Sequence, residues 1–222
     1  MLLEICNYGG RMVDFGSAAH GDYFSITDSY DPLSNRRAFF DASHVLPPAM
    51  LESYVERWPT PGLGNFRYML RSGMMGWFTL MLDSSRWTAE QHAAARTEFK
   101  LYKSALRPLI RTADLYHVGV RPDGVHWDGI EYYAPATGRG VLFAFRGNGA
   151  DEVVHRFPLR GLDPRSRYNV RYHDRGLAGD VIADGRTLLR DGVEIRLPEP
   201  LSSELVFITQ LCGVTRADPC GR

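Results

Sequence analysis

The chain has 222 residues with 26 Lys and Arg against 26 Asp and Glu, a formal net charge of zero. It therefore lacks the basic footprint of a nucleic-acid-binding protein. Hydrophobic residues make up 44% and charged residues 23%, a balance that excludes bulk disorder and allows one large domain or two small ones. The longest apolar run, Met74 to Leu82, falls well short of the ~18 residues of a membrane span, and no secretory signal opens the sequence, so a cytoplasmic location is expected.

In chain order, Leu2 to Cys6 and Tyr23 to Thr27 read as strands. Asp31-Pro32 places a capping carboxylate before a proline in the first helical turn, predicting a helix through Phe40. A helix is expected around Asn65 to Arg71, then a buried strand at Trp77 to Leu82. Thr88 and Gln91 form an S/T-x-x-E/Q capping box that opens the strongest helix, Ala89 to about Ile110, with Ala95, Phe99, Tyr102, Leu106 and Leu109 on one face. Pro108 should kink or end it. The first half thus reads as repeated β/α units feeding a parallel sheet.

Beyond Leu115 the pattern changes to strands and turns: Leu115 to Val120, Gly129 to Tyr133, Val141 to Phe145, Val153 to Leu159, Tyr168 to Tyr172, Val193 to Leu197 and Leu205 to Thr209. Pro122-Asp123-Gly124, Gly147-Asn148-Gly149, Asp163-Pro164 and Asp191-Gly192 break them. Seven short strands at this spacing predict an antiparallel sandwich. The expected fold is α/β plus all-β, with residues 1–112 and 113–222 as two domains.

Three cysteines, Cys6, Cys212 and Cys220, are too scattered for a disulfide framework or zinc site and are expected as free thiols, although Cys212 and Cys220 could pair if oxidised. The seven histidines show no ligand spacing, so no metal is expected. No G-x-S-x-G, phosphate-binding loop or dinucleotide fingerprint occurs, and no cofactor is expected. What remains is polar residues just past strand ends, where β/α proteins bind ligands: Cys6 to Gly10 after the first strand, Asp28 after the second and Asp83 after Trp77 to Leu82. Asp83 and Asp31 also suit helix capping, and Gly9-Gly10 a tight turn.

These residues resemble a known family. Glu4-x-Cys6-x-x-Gly9-Gly10 with Asp14, then Thr27-Asp28, the segment Phe66 to Gly76, Tyr102-Lys103 to Ile110, Trp127-Asp128-Gly129, Gly138 to Val141 and Pro198 to Leu205 are similar to the C-terminal half of a glycoside hydrolase family 36 alpha-galactosidase-like protein. The resemblance implies a partial (β/α)8 barrel followed by an antiparallel β domain. It implies a carbohydrate substrate and a retaining mechanism with two carboxylates, while the balanced charge and short apolar runs predict no nucleic acid or membrane partner. Asp28 matches the general acid/base. Cys6, Gly9 and Gly10 match the segment that contacts the sugar, with Arg11 and Asp14 completing it. Two positions depart from the pattern: Ser25 stands where an aromatic residue is expected, and Arg11 lies one place before the usual arginine, at the position of Met12.

A retaining glycosidase also needs a nucleophile, which the family carries on a Lys-Trp-Asp-like strand end upstream. No such segment precedes Glu4, so the chain is expected to hold about four barrel units and to be inactive alone. A non-catalytic carbohydrate-binding or structural remnant is one alternative. Half of a split barrel is another, with a homo-oligomer or a complementing half covering the open sheet edges.

Overall fold

The computed structural model describes residues 1–6, 10–29, 31–55, 63–81, 83–176 and 179–211, with the side chains of residues 55, 63 and 64 left aside. Four short strands form a parallel sheet in the order β1 (Glu4–Ile5), β2 (Tyr23–Ser25), β3 (Leu51–Val55) and β4 (Trp77–Leu80). Strand β3 carries no strand signal in the sequence, because Leu51-Glu52-Ser53-Tyr54 lacks the apolar run that marks a buried strand. Its register explains the pattern. Glu52 pairs with Trp77 and Ser25, and Tyr54 with Thr79. In a parallel sheet these partners share one face, so Glu4, Tyr23, Ser25, Glu52, Tyr54, Trp77 and Thr79 make a polar and aromatic face. Ile5, Phe24, Leu51, Phe78 and Leu80 line the other, against the core.

Helices α2 (Pro32–Ala42) and α3 (Leu63–Gly73) pack on that apolar face through Phe39, Phe66, Met69 and Leu70. A short helix, α1 (Phe15–Ala18), lies between β1 and β2. The expected caps form: Asp31 Oδ1 accepts from Ser34 N at 2.9 Å, and Gln91 N donates to Thr88 Oγ1 at 3.1 Å while Thr88 N donates to Gln91 Oε1 at 2.9 Å. Pro108 does not end its helix. After α4 (Ala89–Leu101) comes one π-type turn, Tyr102–Leu106, and then α5 (Arg107–Ile110). A proline cannot donate to the carbonyl four residues back and its ring crowds that oxygen, and the wider turn just before it accommodates both.

The remaining strands are β5 (Asp114–His117), β6 (Asp128–Ala134), β7 (Arg139–Arg146), β8 (Val154–Phe157), β9 (Arg167–Tyr172), β10 (Val181–Asp184), β11 (Val193–Arg196) and β12 (Ser202–Gln210), with helix α6 (Gly185–Arg190) between β10 and β11. Six of them form an antiparallel sheet in the order β10-β9-β12-β7-β6-β5, and β8 pairs with β11. The seven-strand expectation omitted β10 and α6. Val181 and Ile182 lie at the sheet edge and stay about half exposed, 51% and 56%, so no burial signal marks them in the sequence. The large sheet buries both faces. Tyr133, Leu142, Ala144, Val206 and Ile208 pack with Phe157, Ile195 and Leu188, whereas Ile130, Tyr132, Val141, Phe143, Phe145 and Leu205 join the helices in one core with the parallel sheet.

Two wholly buried arginines cross that seam. Arg36 of α2 donates from Nε and Nη2 to the two carboxylate oxygens of Asp128, both at 3.0 Å, and also to Ser72 Oγ and Tyr68 Oη, both at 2.8 Å. Its guanidinium lies 4.3 Å from the centre of the Phe145 ring. Arg71 of α3 chelates Glu98 at 2.7 and 3.1 Å and Asp174 at 2.8 and 2.9 Å, and donates to the Ser203 carbonyl at 3.1 Å. The carboxylates hold both arginines charged. Removing one partner strands a charge in the core, so Asp128→Ala is expected to cost roughly 3–5 kcal/mol in urea denaturation.

Glu131 is the opposite case. It is wholly buried, its Oε2 accepts only from Arg160 N at 2.7 Å, and Oε1 has no partner. Burial pushes its carboxyl up to about 8. The folded state then holds a proton that the unfolded chain releases near pH 4.5, so the contribution to stability is full below that pH and fades as pH rises toward 8. Glu131→Gln, a neutral mimic of the protonated acid, is expected to raise Tm at pH 8 and leave it unchanged at pH 4, as thermal melts at both pH values will show.

Candidate functional site

The polar groups past the carboxyl ends of β1 and β2 converge because their two loops touch. Gly10 adopts φ +90°, and a Cβ there would lie 2.3 Å from the carbonyl oxygen of Ile26. Only glycine lets the loop after β1 rest on the segment that carries Asp28. From Gly10 the chain turns through a Val13 N to Gly10 O bond of 3.2 Å into α1, which Asp14 caps by accepting from Ser17 N at 2.8 Å. Cys6 is an exposed free thiol and Arg11 is exposed. Gly9 lies outside the described residues, as do Leu82, Cys212 and Cys220.

Asp28 is exposed, yet the backbone on either side of it is pinned from beneath. The Tyr54 hydroxyl donates to the Thr27 carbonyl and lies 3.3 Å from Ser25 Oγ. Asn35 Nδ2 donates to the Ser29 carbonyl at 2.7 Å and to the Asp31 carbonyl at 3.1 Å, while Asn35 Oδ1 accepts from Tyr54 N at 3.3 Å. Ser29 N closes the turn on Thr27 Oγ1 at 3.1 Å. A solvated carboxylate on a fixed turn can give a proton to, or take one from, a group lying across the strand ends. Sequence reasoning missed both anchors. Asn35 had a detectable signal, since an asparagine inside a helix competes with the backbone unless its amide has a tertiary partner. Tyr54 had none, because β3 itself was not recognised. Where the family pattern wants an aromatic residue, buried Ser25 has the Tyr54 side chain from the neighbouring strand beside it.

Below the loops, on the polar face of the sheet, Glu4 and Glu52 form an acidic pair. Desolvation, with the Glu4 carboxylate next to it, pushes the Glu52 carboxyl up, opposed by a 2.5 Å hydrogen bond from Thr79 Oγ1. Tyr23 Oη donates to Glu4 at 3.2 Å, and its ring stacks on Trp77 with centres 4.5 Å apart. The other carboxylates singled out from the sequence serve as caps. Asp83 accepts from Ser85 N at 3.0 Å, and the Ser85 side chain together with this backbone bond holds its carboxyl below the usual range. Glu98, His173 and Asp174 come within metal-ligand reach of one another, but Arg71 already neutralises both carboxylates and occupies the place a cation would take.

The architecture as a whole matches known structures. The galactosidase domain of the alpha-galactosidase-sucrose kinase AgaSK superposes with a TM-score of 0.82 at 20% identity, over 95% of this chain and 29% of that one. The alpha-galactosidase from Lactobacillus brevis gives 0.80 at 17% identity, over 98% and 30%. The GH36 alpha-galactosidase AgaA from Geobacillus stearothermophilus, in complex with raffinose, gives 0.79 at 18% identity, over 95% and 29%. The chain has the fold of part of a GH36 alpha-galactosidase. It spans about three tenths of the length of these proteins. No protein-family model and no curated protein sequence matches it. Among the described residues, no helix is long and apolar enough to cross a membrane.

The contact between Gly10 and Ile26 is open to direct test. Gly10→Ala adds a Cβ where a carbonyl oxygen already sits and an L side chain where φ is positive. It is expected to cost about 1–3 kcal/mol and to speed hydrogen exchange in residues 22–29 selectively.

Proposed function

We propose that this chain is the acid/base-bearing part of a retaining alpha-galactosidase-like glycoside hydrolase that acts on alpha-linked oligosaccharides. The observation that carries the reading is Asp28: an exposed carboxylate on a buttressed turn at the carboxyl end of a parallel strand, in a fold shared with GH36 alpha-galactosidases. The parallel sheet is then part of a (β/α)8 barrel of which residues 1–112 form the C-terminal half, and residues 113–222 form the sandwich-like β domain that backs it. The raffinose bound in AgaA supports a galactose-containing substrate.

In this reading Asp28, protonated, donates to the glycosidic oxygen as the bond to the leaving group breaks. The resulting carboxylate then deprotonates the water that releases the sugar. Cys6, Gly9, Gly10, Arg11 and Asp14 bound the sugar pocket. The Asp14 carboxylate divides its capacity between the cap of α1 and the ligand. The nucleophile, which must lie about 5–5.5 Å from the acid/base, is supplied by a segment other than this chain, and the same complementing barrel half, or a second copy, covers the polar face of the sheet.

The test is turnover of an aryl alpha-galactoside together with raffinose binding. The chain alone is expected to show no turnover, because acid catalysis by itself contributes only about 10²–10⁴-fold. Raffinose binding measured by calorimetry should weaken about tenfold in Asp28→Ala, the loss of one charged hydrogen bond. Turnover by the chain that survives Asp28→Asn would remove Asp28 from the mechanism.

A further inference from the structure

The helix-facing side of the antiparallel sheet is not wholly covered by helices. Where α5 ends, that face continues into a cavity of about 300 Å³ between the π-type turn and the strands β7, β9 and β12. Arg139 enters it from β7 and Arg171 from β9, on either side of β12, whose Thr209 pairs with Arg139 and whose Phe207 pairs with Arg171. Both arginines thus line one cavity from the two flanking strands.

Among the described residues neither arginine forms an ion pair with a carboxylate, a state they share with Arg37, Arg107, Arg146 and Arg167, so their charge is not neutralised within the fold. Arg171 is nonetheless held in place, its guanidinium 5.3 Å from the centre of the Phe207 ring that floors the cavity. A cation lying on an aromatic face keeps its N–H edge available for an anion. Ser104, in the π-type turn, and Thr209 place hydroxyl donors in the same lining, and Pro108 with Phe207 adds an apolar wall.

We infer that this cavity binds the phosphate monoester of a small molecule. Two forked guanidinium groups from separate strands suit a tetrahedral dianion, which offers an oxygen edge to each. The volume lies at the lower end of small-molecule pockets, enough for a phosphate and a compact organic body against Pro108 and Phe207. The site is separate from the turn that carries Asp28 and does not depend on the glycosidase reading.

Calorimetric titration of the whole chain with glycerol phosphate, inorganic phosphate and acetate tests the inference. Saturable binding is expected for glycerol phosphate, several-fold weaker for inorganic phosphate, which lacks the organic body, and weakest for acetate. Arg139→Gln and Arg171→Gln should each weaken glycerol phosphate binding about tenfold, with Arg171→Lys restoring only part of it. Arg186→Gln, at an exposed position on α6, should leave it unchanged. Thermal melts without ligand should give the same Tm for all variants, since the substituted side chains are solvent-facing. The inference is overturned by any of three results: no binding by the unaltered chain, equal affinity for inorganic phosphate and the ester, or the same loss in Arg186→Gln as in the two cavity variants.

Discussion

Burial of two guanidinium groups at the seam between the helices and the antiparallel sheet is the constraint on which the rest of the molecule depends. A charged arginine with no exposure is tolerated only when its donors are matched by carboxylates held in place. Arg36 finds Asp128 and Arg71 finds both Glu98 and Asp174. Asp128 and Asp174 come from the β-rich half of the chain, so the helices meet their charge requirement only in the assembled structure. Around these pairs Phe145, Tyr132 and Leu205 share one apolar core with Phe39, Phe66 and Leu70. The two halves differ in pattern but share this core, beside a second one that the β-rich half builds alone.

The same helix carries the constraint to the candidate site. Arg36 ties α2 to the sheet behind it, and the adjacent Asn35 ties α2 to the turn in front, through the carbonyls of Ser29 and Asp31. The position of Asp28 thus rests on a short physical path from the ion pair with Asp128 through one turn of helix. Between two pinned carbonyls the backbone of Asp28 is fixed while its side chain stays exposed. The glycine contact at Ile26 adds the loop after β1 to the same unit.

The parallel sheet shows a second consequence of packing. One face is apolar and closed by helices. The other joins Glu4, Tyr23, Glu52 and Trp77 through hydrogen bonds and a stacked aromatic pair. A carboxyl raised by burial beside another carboxylate is stable only where neighbours supply hydrogen bonds, as Thr79 does for Glu52. This face is polar where the opposite one packs against helices.

What the sequence determined by itself was local. Asp31-Pro32 and Thr88 with Gln91 start helices because a capping oxygen and the donors it satisfies lie within one turn, and the change of periodicity near residue 112 marks the passage from parallel to antiparallel pairing. The strand-end position of Asp28 and the glycine at residue 10 were likewise readable, since each follows from chain direction and turn chemistry. Only the tertiary structure decided the rest. Strand β3 carries Glu52 and Ser53 and becomes a strand because its neighbours pair with it, not because its residues demand it. Asp128 and Asp174 look like turn residues until Arg36 and Arg71 arrive from 92 and 103 positions away, and Asn35 looks like a poor helix residue until the Asp28 turn meets it. Hydrogen bonds and charges are satisfied by whatever lies close in space, and sequence spacing carries no record of partners so distant.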